Sequence, residues 1–599
     1  MTQDRFSLLL YRTALCGCFL GAIATLHLIG GLSGFLGSLL LNVTATAGVS
    51  LAALFFLYIF FVPMMPRGRW TLPLWLLILL ILSVEVILGL LPPTARDELT
   101  HHLAIPKLYV KAGRIYEIPF APYSYYPMLL DMLYTPWVRW GWDFVPKLVH
   151  GLYGLLTALL LYAYLARRLS PIYGLLGFFF FVFTPAILRL SSWAYVDLGM
   201  TFYSTASLLC LLRWLEASAG KRWLILAGLC AGFAIATKPN GVLVLLLLFF
   251  VLTFALGREK ERGKMETLSW VFLFLVLAFI PLSPWLMKNM LWTGNPFFPF
   301  LTGIFGSGGG GGVSLGEGSG LGIFTKRELF YGENLWQMIA LPLRVFFVGR
   351  DDQPQYFDGV LNPILILFLP WSFKGKWTEE KKLLFAFALI YFSYAIFLTD
   401  LRIRYILPIV PSLVILLVYG IHNIYLRIVH PSFLFGAVIV LLALNGVYLW
   451  NHVSALSPLD YFRGRESREA YLSRMLPEYP AIQYVNQHVP STAKVYFLFM
   501  GRRVYYCERD YFHDSGEPPS VFLQMIRGAQ DEGQLRDMVQ REGITHLLLR
   551  LDLFLRFFND NLKPSQKEML VRFQSRYLTL LFEQRGYGVY EIRTGGVNS

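Results

Sequence analysis

Charged residues are scarce in this chain: Asp, Glu, Lys and Arg make up only 15% of its 599 residues. Soluble globular domains carry about 25% charged residues, so this shortage excludes an ordinary soluble enzyme. Hydrophobic residues make up 56% of the chain and aromatic residues 16%. Together these fractions predict a protein that crosses a membrane several times.

Cysteine is scarce as well, with only five residues, Cys16, Cys18, Cys210, Cys230 and Cys507. Their spacing matches neither a zinc site nor a disulfide framework. Five consecutive glycines begin at Gly308, but no Gly-Lys-Ser/Thr follows them, which excludes a phosphate-binding P-loop. The glycine tract predicts a mobile loop, either a plain connection or a lid over a substrate.

Negative charge is the less abundant sign, and the formal net charge is +14. Much of the excess lies in short loops between apolar runs, where Lys and Arg set the orientation of membrane helices. We therefore expect membrane lipids, and no nucleic acid, around this protein.

Thirteen apolar runs are long enough, or nearly so, to span a membrane with about 20 residues. Lys and Arg concentrate in alternate loops, which predicts an inside N-terminus and an outside C-terminus. The runs lie at residues 6–29, 45–63, 71–91, 146–166, 172–190, 197–215, 223–237, 241–256, 268–286, 359–372, 382–398, 405–420 and 433–450.

The predicted fold is an all-α polytopic membrane protein with a small C-terminal α/β domain outside the membrane. In that domain, residues 494–500 and 545–549 read as buried strands, and residues 479–488 and 533–542 as amphipathic helices. The predicted regions are two additional N-terminal transmembrane helices (1–69), a catalytic transmembrane module (70–290) with a first outer loop (92–145), a large outer loop (291–358), further transmembrane helices (359–452) and the outer domain (453–599).

An acidic pair, Asp97-Glu98, directly follows the third apolar run. Ionisable groups at the mouth of a membrane helix are costly near lipid and are therefore candidates for function. A carboxylate here can accept the proton of an attacking hydroxyl or amine, which suits transfer of a group from a lipid-borne donor to an acceptor outside the membrane. A helix N-cap followed by a structural carboxylate is the alternative.

Two histidines, His101 and His102, follow the acidic pair. If a helix begins at Asp97, then Asp97 faces His101, and Glu98 faces His102, at i,i+4 spacing. Carboxylate and imidazole ligands both suit a divalent ion, so His101 and His102 are candidate metal ligands. Histidines with purely structural partners at the membrane interface are the alternative.

A second acid, Asp197, begins the sixth span on the same predicted outer side as Asp97. Either the two carboxylates converge on one cavity, or Asp197 caps its helix. Several Lys and Arg residues lie on the predicted outer side, although Lys and Arg usually concentrate in the inside loops. Their position there is explained either by phosphate binding or by side chains that extend to lipid headgroups. The candidate phosphate-binding residues are Lys107, Lys238, Lys288, Arg402 and Arg404.

Four stretches together resemble the GT-C superfamily of polyprenyl-phosphate-dependent glycosyltransferases. The likeness is to the branch of the protein O-mannosyltransferases and the lipid A aminoarabinose transferase, and it covers about residues 70–450 and the plan of an outer C-terminal domain. The stretches are Asp97 to Pro119, Ala194 to Gly199 with Ala236 to Pro239, Pro284 to Pro299, and Arg402 to Pro408.

The resemblance implies a GT-C fold with about 13 transmembrane helices in a bacterial inner membrane. It also implies a reaction in which a sugar leaves polyprenyl phosphate and joins a lipid, glycan or protein acceptor, with inversion at the anomeric carbon. In that reaction Asp97 would be the base, and Glu98 would share this role or position Asp97. Asp197 would hold the acceptor or order the site. The His101-His102 pair departs from better-known members, so a divalent metal ion stays an open expectation.

A transporter or flippase of lipid-linked saccharide is the alternative function, and a glycan polymerase or ligase is a chemical neighbour. Transporters hold their substrates near the bilayer midplane, between broken helices. The charged residues of this chain gather instead at outer helix ends and loops, with Glu85 as the main exception inside a span. This distribution favours the transferase.

Overall fold

The computed structural model describes residues 2–64, 71–216, 220–258, 263–306, 322–374, 377–398, 401–427, 430–514 and 520–593. The glycine tract predicted to be mobile lies outside these residues. The N-terminal third contains three long apolar helices and then a first long loop with a π-helical turn at Glu98–His102 and a 3-10 turn at Pro122–Tyr125. The α-helices here are α1 (Thr2–Leu32), α2 (Leu39–Met64), α3 (Thr71–Gly89), α4 (Ala104–Ala112) and α5 (Leu129–Arg139).

The central bundle and a second long loop follow. The bundle helices are α6 (Val145–Arg168), α7 (Pro171–Val182), α8 (Pro185–Ser191), α9 (Asp197–Trp214), α10 (Arg222–Thr237), α11 (Gly241–Gly257) and α12 (Lys264–Thr293). The second loop carries α13 (Thr302–Phe305), α14 (Ile323–Tyr331), α15 (Leu335–Ile339), α16 (Leu341–Phe347) and a 3-10 turn at Pro354–Tyr356. The chain then forms α17 (Ile364–Leu367), α18 (Leu369–Ser372), α19 (Glu379–Leu398), 3-10 turns at Ile403–Tyr405 and Leu407–Ile409, α20 (Val410–Tyr425) and α21 (Pro431–Leu456).

Helices occupy every one of the predicted spans, but they differ in their suitability for crossing a membrane. Within the described ranges, 7 helices are long and apolar enough to cross alone, or 8 if α7 and α8, bent by 69°, count as one span. The remaining segments are shorter or more polar: α10 and α11 are short, and α9 carries Thr201, Ser204 and Ser207 in its interior. The number of thirteen spans therefore stays a prediction.

Helix α1 packs in the centre of the bundle, although the sequence suggests an additional N-terminal element. The Tyr203 hydroxyl of α9 donates a hydrogen bond to the Gly17 carbonyl oxygen at 2.8 Å. A Cβ atom at Gly17 would lie 1.9 Å from the Phe202 ring, so the close approach of α1 to α9 requires glycine there. Helix α1 thus supports the helix that carries Asp197.

The C-terminal domain is a five-stranded mixed sheet flanked by helices, as the alternating sequence pattern predicts. Strand β1 pairs in parallel with β2 and β3, and β5 is antiparallel to both β3 and β4. The order is α22 (Pro458–Phe462), α23 (Arg468–Met475), α24 (Tyr479–His488), β1 (Lys494–Leu498), β2 (Asp510–His513), α25 (Ser520–Gly528), α26 (Glu532–Arg541), β3 (His546–Arg550), α27 (Leu551–Asn561), α28 (Pro564–Tyr577), β4 (Leu578–Gln584) and β5 (Tyr587–Ile592).

The loop after β1 joins this domain to the first long loop. The backbone N–H groups of Val504 and Tyr505 both donate to the Leu99 carbonyl oxygen, at 3.1 and 3.2 Å. An ion pair between Arg468 and Asp143, at 2.5 Å, adds a second connection. These contacts hold the carboxyl ends of the parallel strands opposite the mouths of the bundle helices.

Candidate active site

A cavity of about 1070 Å³ lies between the mouths of the bundle helices and the C-terminal domain. We call its two sides the membrane wall and the domain wall. The membrane wall includes Asp97, His102, Asp131, Asp197, Lys238 and Arg404. The domain wall includes Phe497, Phe499, Arg502, His513, Arg550 and Arg556.

Asp97 faces the cavity and forms an ion pair with Arg404, which lies 307 residues away in sequence. The Asp97 backbone N–H donates to the Tyr195 hydroxyl at 3.2 Å, which fixes the start of the turn. Burial raises the pKa of the Asp97 carboxyl, but the Arg404 guanidinium outweighs this effect and holds that pKa below its usual range. Asp97 is therefore ionised, and its carboxylate is paired with the Arg404 guanidinium.

Glu98 is turned away from the cavity and is fully buried. Its carboxylate accepts hydrogen bonds from the backbone N–H groups of Thr94 at 3.0 Å, Ala95 at 2.8 Å and Ala194 at 2.5 Å. Burial raises the pKa of Glu98, and these amides together with Lys147 oppose the rise. Of the two roles that the resemblance implies for Glu98, this environment favours positioning over a share in the proton transfer.

The two predicted metal ligands have different partners. His102 Nδ1 lies 2.7 Å from Asp131 Oδ1, whereas His101 Nδ1 bonds to the Thr100 hydroxyl at 2.8 Å. The His101 ring stacks on Tyr123 with centroids 4.3 Å apart. In the part of the chain that the structure describes, no three His, Cys, Asp or Glu side chains are arranged to hold a metal ion. Metal dependence remains an expectation from sequence.

Asp197 begins α9, as predicted, and its side chain pairs with a cation from the end of α10. Lys238 Nζ lies 2.6 Å from Asp197 Oδ1 and 4.8 Å from the centre of the Tyr405 ring. Pro239 follows Lys238, and since a residue before proline avoids the helical conformation, α10 ends at Thr237. Asp97 and Asp197 therefore do line one cavity, each with its own cation.

Arg402 lines the same cavity from the short 3-10 segment that carries Arg404. Its Nη1 atom lies 3.4 Å from Asp358 Oδ2, which is a weak contact, and its buried Nε has no partner among the described residues. Because the Asp358 contact is weak, Arg402 can engage an anion without breaking a strong ion pair. Arg402, Arg404 and Lys238 form a cationic group beside Asp97.

Two predicted phosphate-binding residues lie elsewhere. Lys107 forms an ion pair with Glu508 at 2.6 Å and donates to the Tyr505 carbonyl oxygen at 2.8 Å, so it holds the C-terminal domain in place. Lys288 is buried and donates to the Ser124 carbonyl oxygen at 2.5 Å. Neither lines the cavity, and each already has a structural partner, so the geometry does not favour either as a phosphate ligand.

The domain wall was not foreseen from the sequence. It is formed where the parallel strands β1, β2 and β3 end, which is the edge at which open α/β sheets bind ligands. Just after β1, the backbone has positive φ at Phe499 (60°) and Arg502 (61°), a conformation that ordinary residues adopt at a cost. His513 is buried at the end of β2, and its Nδ1 has no partner among the described residues.

Comparison with known proteins supports this geometry. Residues 143–287 match the family model described as dolichyl-phosphate-mannose-protein mannosyltransferase. No curated protein matches the chain by sequence. The solved structure of ArnT from Cupriavidus metallidurans in the apo state is similar, with a TM-score of 0.53 and 14% identity over 87% of this chain and 97% of that chain. The same protein bound to undecaprenyl phosphate gives a TM-score of 0.52 and 14% identity over 88% and 98%.

The ArnT likeness shows the fold, and the family match covers a stretch that includes Asp197 but not Asp97. The multi-pass helical architecture with a small C-terminal α/β domain is confirmed. The chain therefore has a fold similar to that of ArnT, and its residues 143–287 are similar to the dolichyl-phosphate-mannose-protein mannosyltransferase family.

Proposed function

We propose that this protein transfers a sugar from a polyprenyl-phosphate donor to a lipid, glycan or protein acceptor, with inversion at the anomeric carbon. The observation that carries the proposal is the grouping of Arg404, Arg402 and Lys238 beside Asp97 in one cavity at the mouths of the bundle helices. We place the cavity and the C-terminal domain on the outer face of a bacterial inner membrane.

The cationic group suits a donor phosphate. A guanidinium matches two phosphate oxygens with parallel N–H donors, and charge-assisted bonds of this kind are among the strongest hydrogen bonds in proteins. The Nε atom of Arg404 has no partner among the described residues, so Arg404 can bind the phosphate while it stays paired with Asp97. The apolar helix surfaces below the cavity suit the polyprenyl chain, and the similar ArnT structure contains undecaprenyl phosphate.

The acceptor would enter from the domain wall. The carboxyl ends of β1, β2 and β3 open onto the cavity, and Arg556 is exposed there without an ion-pair partner in the described ranges. An acceptor hydroxyl or amine approaching from this side would attack the anomeric carbon opposite the donor phosphate, and such an attack would invert that carbon.

The reaction moves charge in a defined direction. The bond from the acceptor oxygen or nitrogen to the anomeric carbon forms as the bond from that carbon to the phosphate oxygen breaks. Polyprenyl phosphate leaves with the negative charge, which Arg404, Arg402 and Lys238 stabilise. The proton of the acceptor must pass to a base, and the cavity offers Asp97 and His102 for this role.

The first test is native mass spectrometry of the purified protein with added undecaprenyl phosphate. Wild type should retain the lipid, and Arg404→Ala should weaken binding about 10- to 100-fold, since bonds to charged groups contribute about 1.5–3 kcal/mol. Arg465→Ala is the matched control, because Arg465 is exposed and pairs only with Asp460 near the surface. Equal retention by all three proteins would contradict a donor site at Arg404.

The second test separates transfer from transport. The purified protein is incubated with undecaprenyl-phosphate esters of hexoses and aminopentoses, and with lipid, glycan and peptide acceptors. Formation of a glycosylated acceptor supports the proposal. Donor that crosses a vesicle bilayer without loss of its sugar would identify a flippase instead.

A further inference from the structure

His102 and Asp131 form a buried carboxylate–imidazole pair on the membrane wall. Their side chains are 9% and 2% exposed, and His102 Nδ1 lies 2.7 Å from Asp131 Oδ1. Both residues line the cavity, and His102 Nε2 has no hydrogen-bond partner among the described residues. With Nδ1 occupied by the carboxylate, the lone pair of Nε2 is the atom left for a ligand.

The carboxylates around this pair are already engaged. Asp97 is held by Arg404 and Asp197 by Lys238. Glu98 accepts from three backbone amides and does not line the cavity. Because Asp97 and Asp197 are each paired with a cation, His102 Nε2 is left as a proton acceptor on the membrane wall with no partner among the described residues.

We propose that His102, oriented by Asp131, accepts the proton of the acceptor group during glycosyl transfer. This inference rests on the proposed function. The acceptor O–H or N–H donates its proton to His102 Nε2 as the new bond to the anomeric carbon forms and polyprenyl phosphate leaves. His102 then returns the proton to water, so the resting pair is restored and no further reactant is needed.

The buried charge of Asp131 favours this step. Burial raises the pKa of Asp131, which means that an isolated carboxylate is unfavourable there. Proton uptake at His102 converts the lone negative charge into a neutral ion pair, and Nδ1–H keeps its bond to Asp131 throughout. Asp131 is thus a positioning residue whose loss allows the wrong tautomer of His102.

Burial and the neighbouring charges determine the pKa of His102. Burial lowers the pKa of His102 to about 4, so the imidazole is neutral and able to accept a proton at neutral pH. Acids oppose that lowering and cations reinforce it. The charged and titratable groups that face His102 are Asp97, Asp131, Asp197, Lys238, Arg404, His101 and, through its ring, Tyr195.

The test compares binding and chemistry in the same variants. Undecaprenyl phosphate binding is measured by native mass spectrometry, and single-turnover transfer is measured with the undecaprenyl-phosphate sugar that wild type turns over. His102→Gln should retain lipid binding within about twofold but lose about 10²- to 10⁴-fold in rate, the usual contribution of a general base. His488→Gln is the matched control, since His488 is exposed on α24 away from the cavity.

Two further readouts separate a base from a structural histidine. The wild-type rate should fall on an acid limb near pH 4, where His102 becomes protonated, and Asp131→Asn should lower kcat and move that limb to lower pH without changing donor binding. In His102→Ala, added imidazole should restore part of the lost rate, which a fold defect would not allow.

Several outcomes would overturn the inference. Retention of the wild-type rate by His102→Gln, with loss in Asp97→Asn, would assign the proton to Asp97. Loss of transfer on chelation, restored by a divalent ion in wild type but not in His102→Gln, would assign His102 to a metal site. A wild-type protein that neither binds undecaprenyl phosphate nor transfers sugar would remove the proposed function, and this inference with it.

Discussion

The two walls of the cavity are built differently. On the membrane wall, charged groups pair across elements that are distant in sequence and are mostly buried, as with Asp97 and Arg404 or Asp131 and His102. On the domain wall, the charges are on the whole more exposed: Arg550 bonds to Asp552 two residues on, and Arg556 has no ion-pair partner in the described part of the chain. The exception is the pair between Arg503 and the buried Glu478, at 3.1 Å.

This difference indicates a division of labour. Groups that stabilise charge during a reaction act best when they are held in place before substrate arrives, because no reorganisation is then needed. Groups that select a partner gain from side chains that can adjust. We therefore assign the chemistry and the donor phosphate to the membrane wall and the choice of acceptor to the domain wall.

Breaking the Asp97–Arg404 pair should have the largest effect on activity. Asp97→Asn should lower the rate of transfer by at least about 10²-fold, since misplacing a reacting group by about 1 Å can cost that much. The measurement is single-turnover transfer, with thermal unfolding to check the fold. Asp460→Asn, at an exposed acid, is the control, and wild-type turnover in Asp97→Asn would contradict a preorganised membrane wall.

The Asp197–Lys238 pair should respond asymmetrically. Asp197 is 3% exposed and Lys238 is 21% exposed, so Lys238→Met leaves a buried charge unpaired and should cost about 3–5 kcal/mol of stability. Asp197→Asn leaves the lysine free to turn towards the cavity and should cost less. Equal shifts of Tm in the two variants would mean that the pair is not buried as the structure has it.

The domain wall should show its own pH dependence through His513. Burial lowers the pKa of His513 to about 4, whereas an unfolded histidine titrates near 6.5. Between these values the unfolded chain binds more protons, so stability falls as the pH falls from 6.5 towards 4. At pH 5 this amounts to about 2 kcal/mol.

The measurement is Tm between pH 7.5 and pH 5. The variant His513→Gln should flatten the curve, and His488→Gln, at an exposed position, should leave it unchanged. If the curve is equally steep in wild type and His513→Gln, a group other than His513 causes the pH dependence of Tm.

The smallest effect is expected at Arg556. Arg556→Ala should raise KM for the acceptor about 2- to 10-fold while kcat, donor binding and Tm stay near wild type, because exposed side chains contribute little to stability. Arg465→Ala is again the control. A loss of kcat as large as that of Asp97→Asn would erase the distinction between the two walls.

The local structure was largely predictable, whereas the pairings were not. The apolar runs predict the membrane-bundle helices well. In the C-terminal domain, the helix expected at residues 479–488 has those bounds in α24. Asp97 and Asp197 stand out because each adjoins an apolar run. That Asp97 pairs with Arg404 depends on packing between distant segments, which spacing along the chain does not encode.

The errors have specific causes. Adjacent residues on a helical turn point in different directions, so Asp97 reaches the cavity while Glu98 turns inward to three amides. Lys107 forms its ion pair with Glu508, 401 residues later in the sequence. Asp131 was overlooked within the loop at 92–145, although a lone acid in the apolar run of α5 is a signal that could have found it.

The most direct test of the division between the walls is a cryo-EM structure of the protein with undecaprenyl phosphate. The account predicts the phosphate within hydrogen-bond distance of Arg404, on the membrane wall, with Asp97 exposed to the space in front of the domain wall. A phosphate held by the domain wall, or a lipid bound away from the cavity, would contradict it.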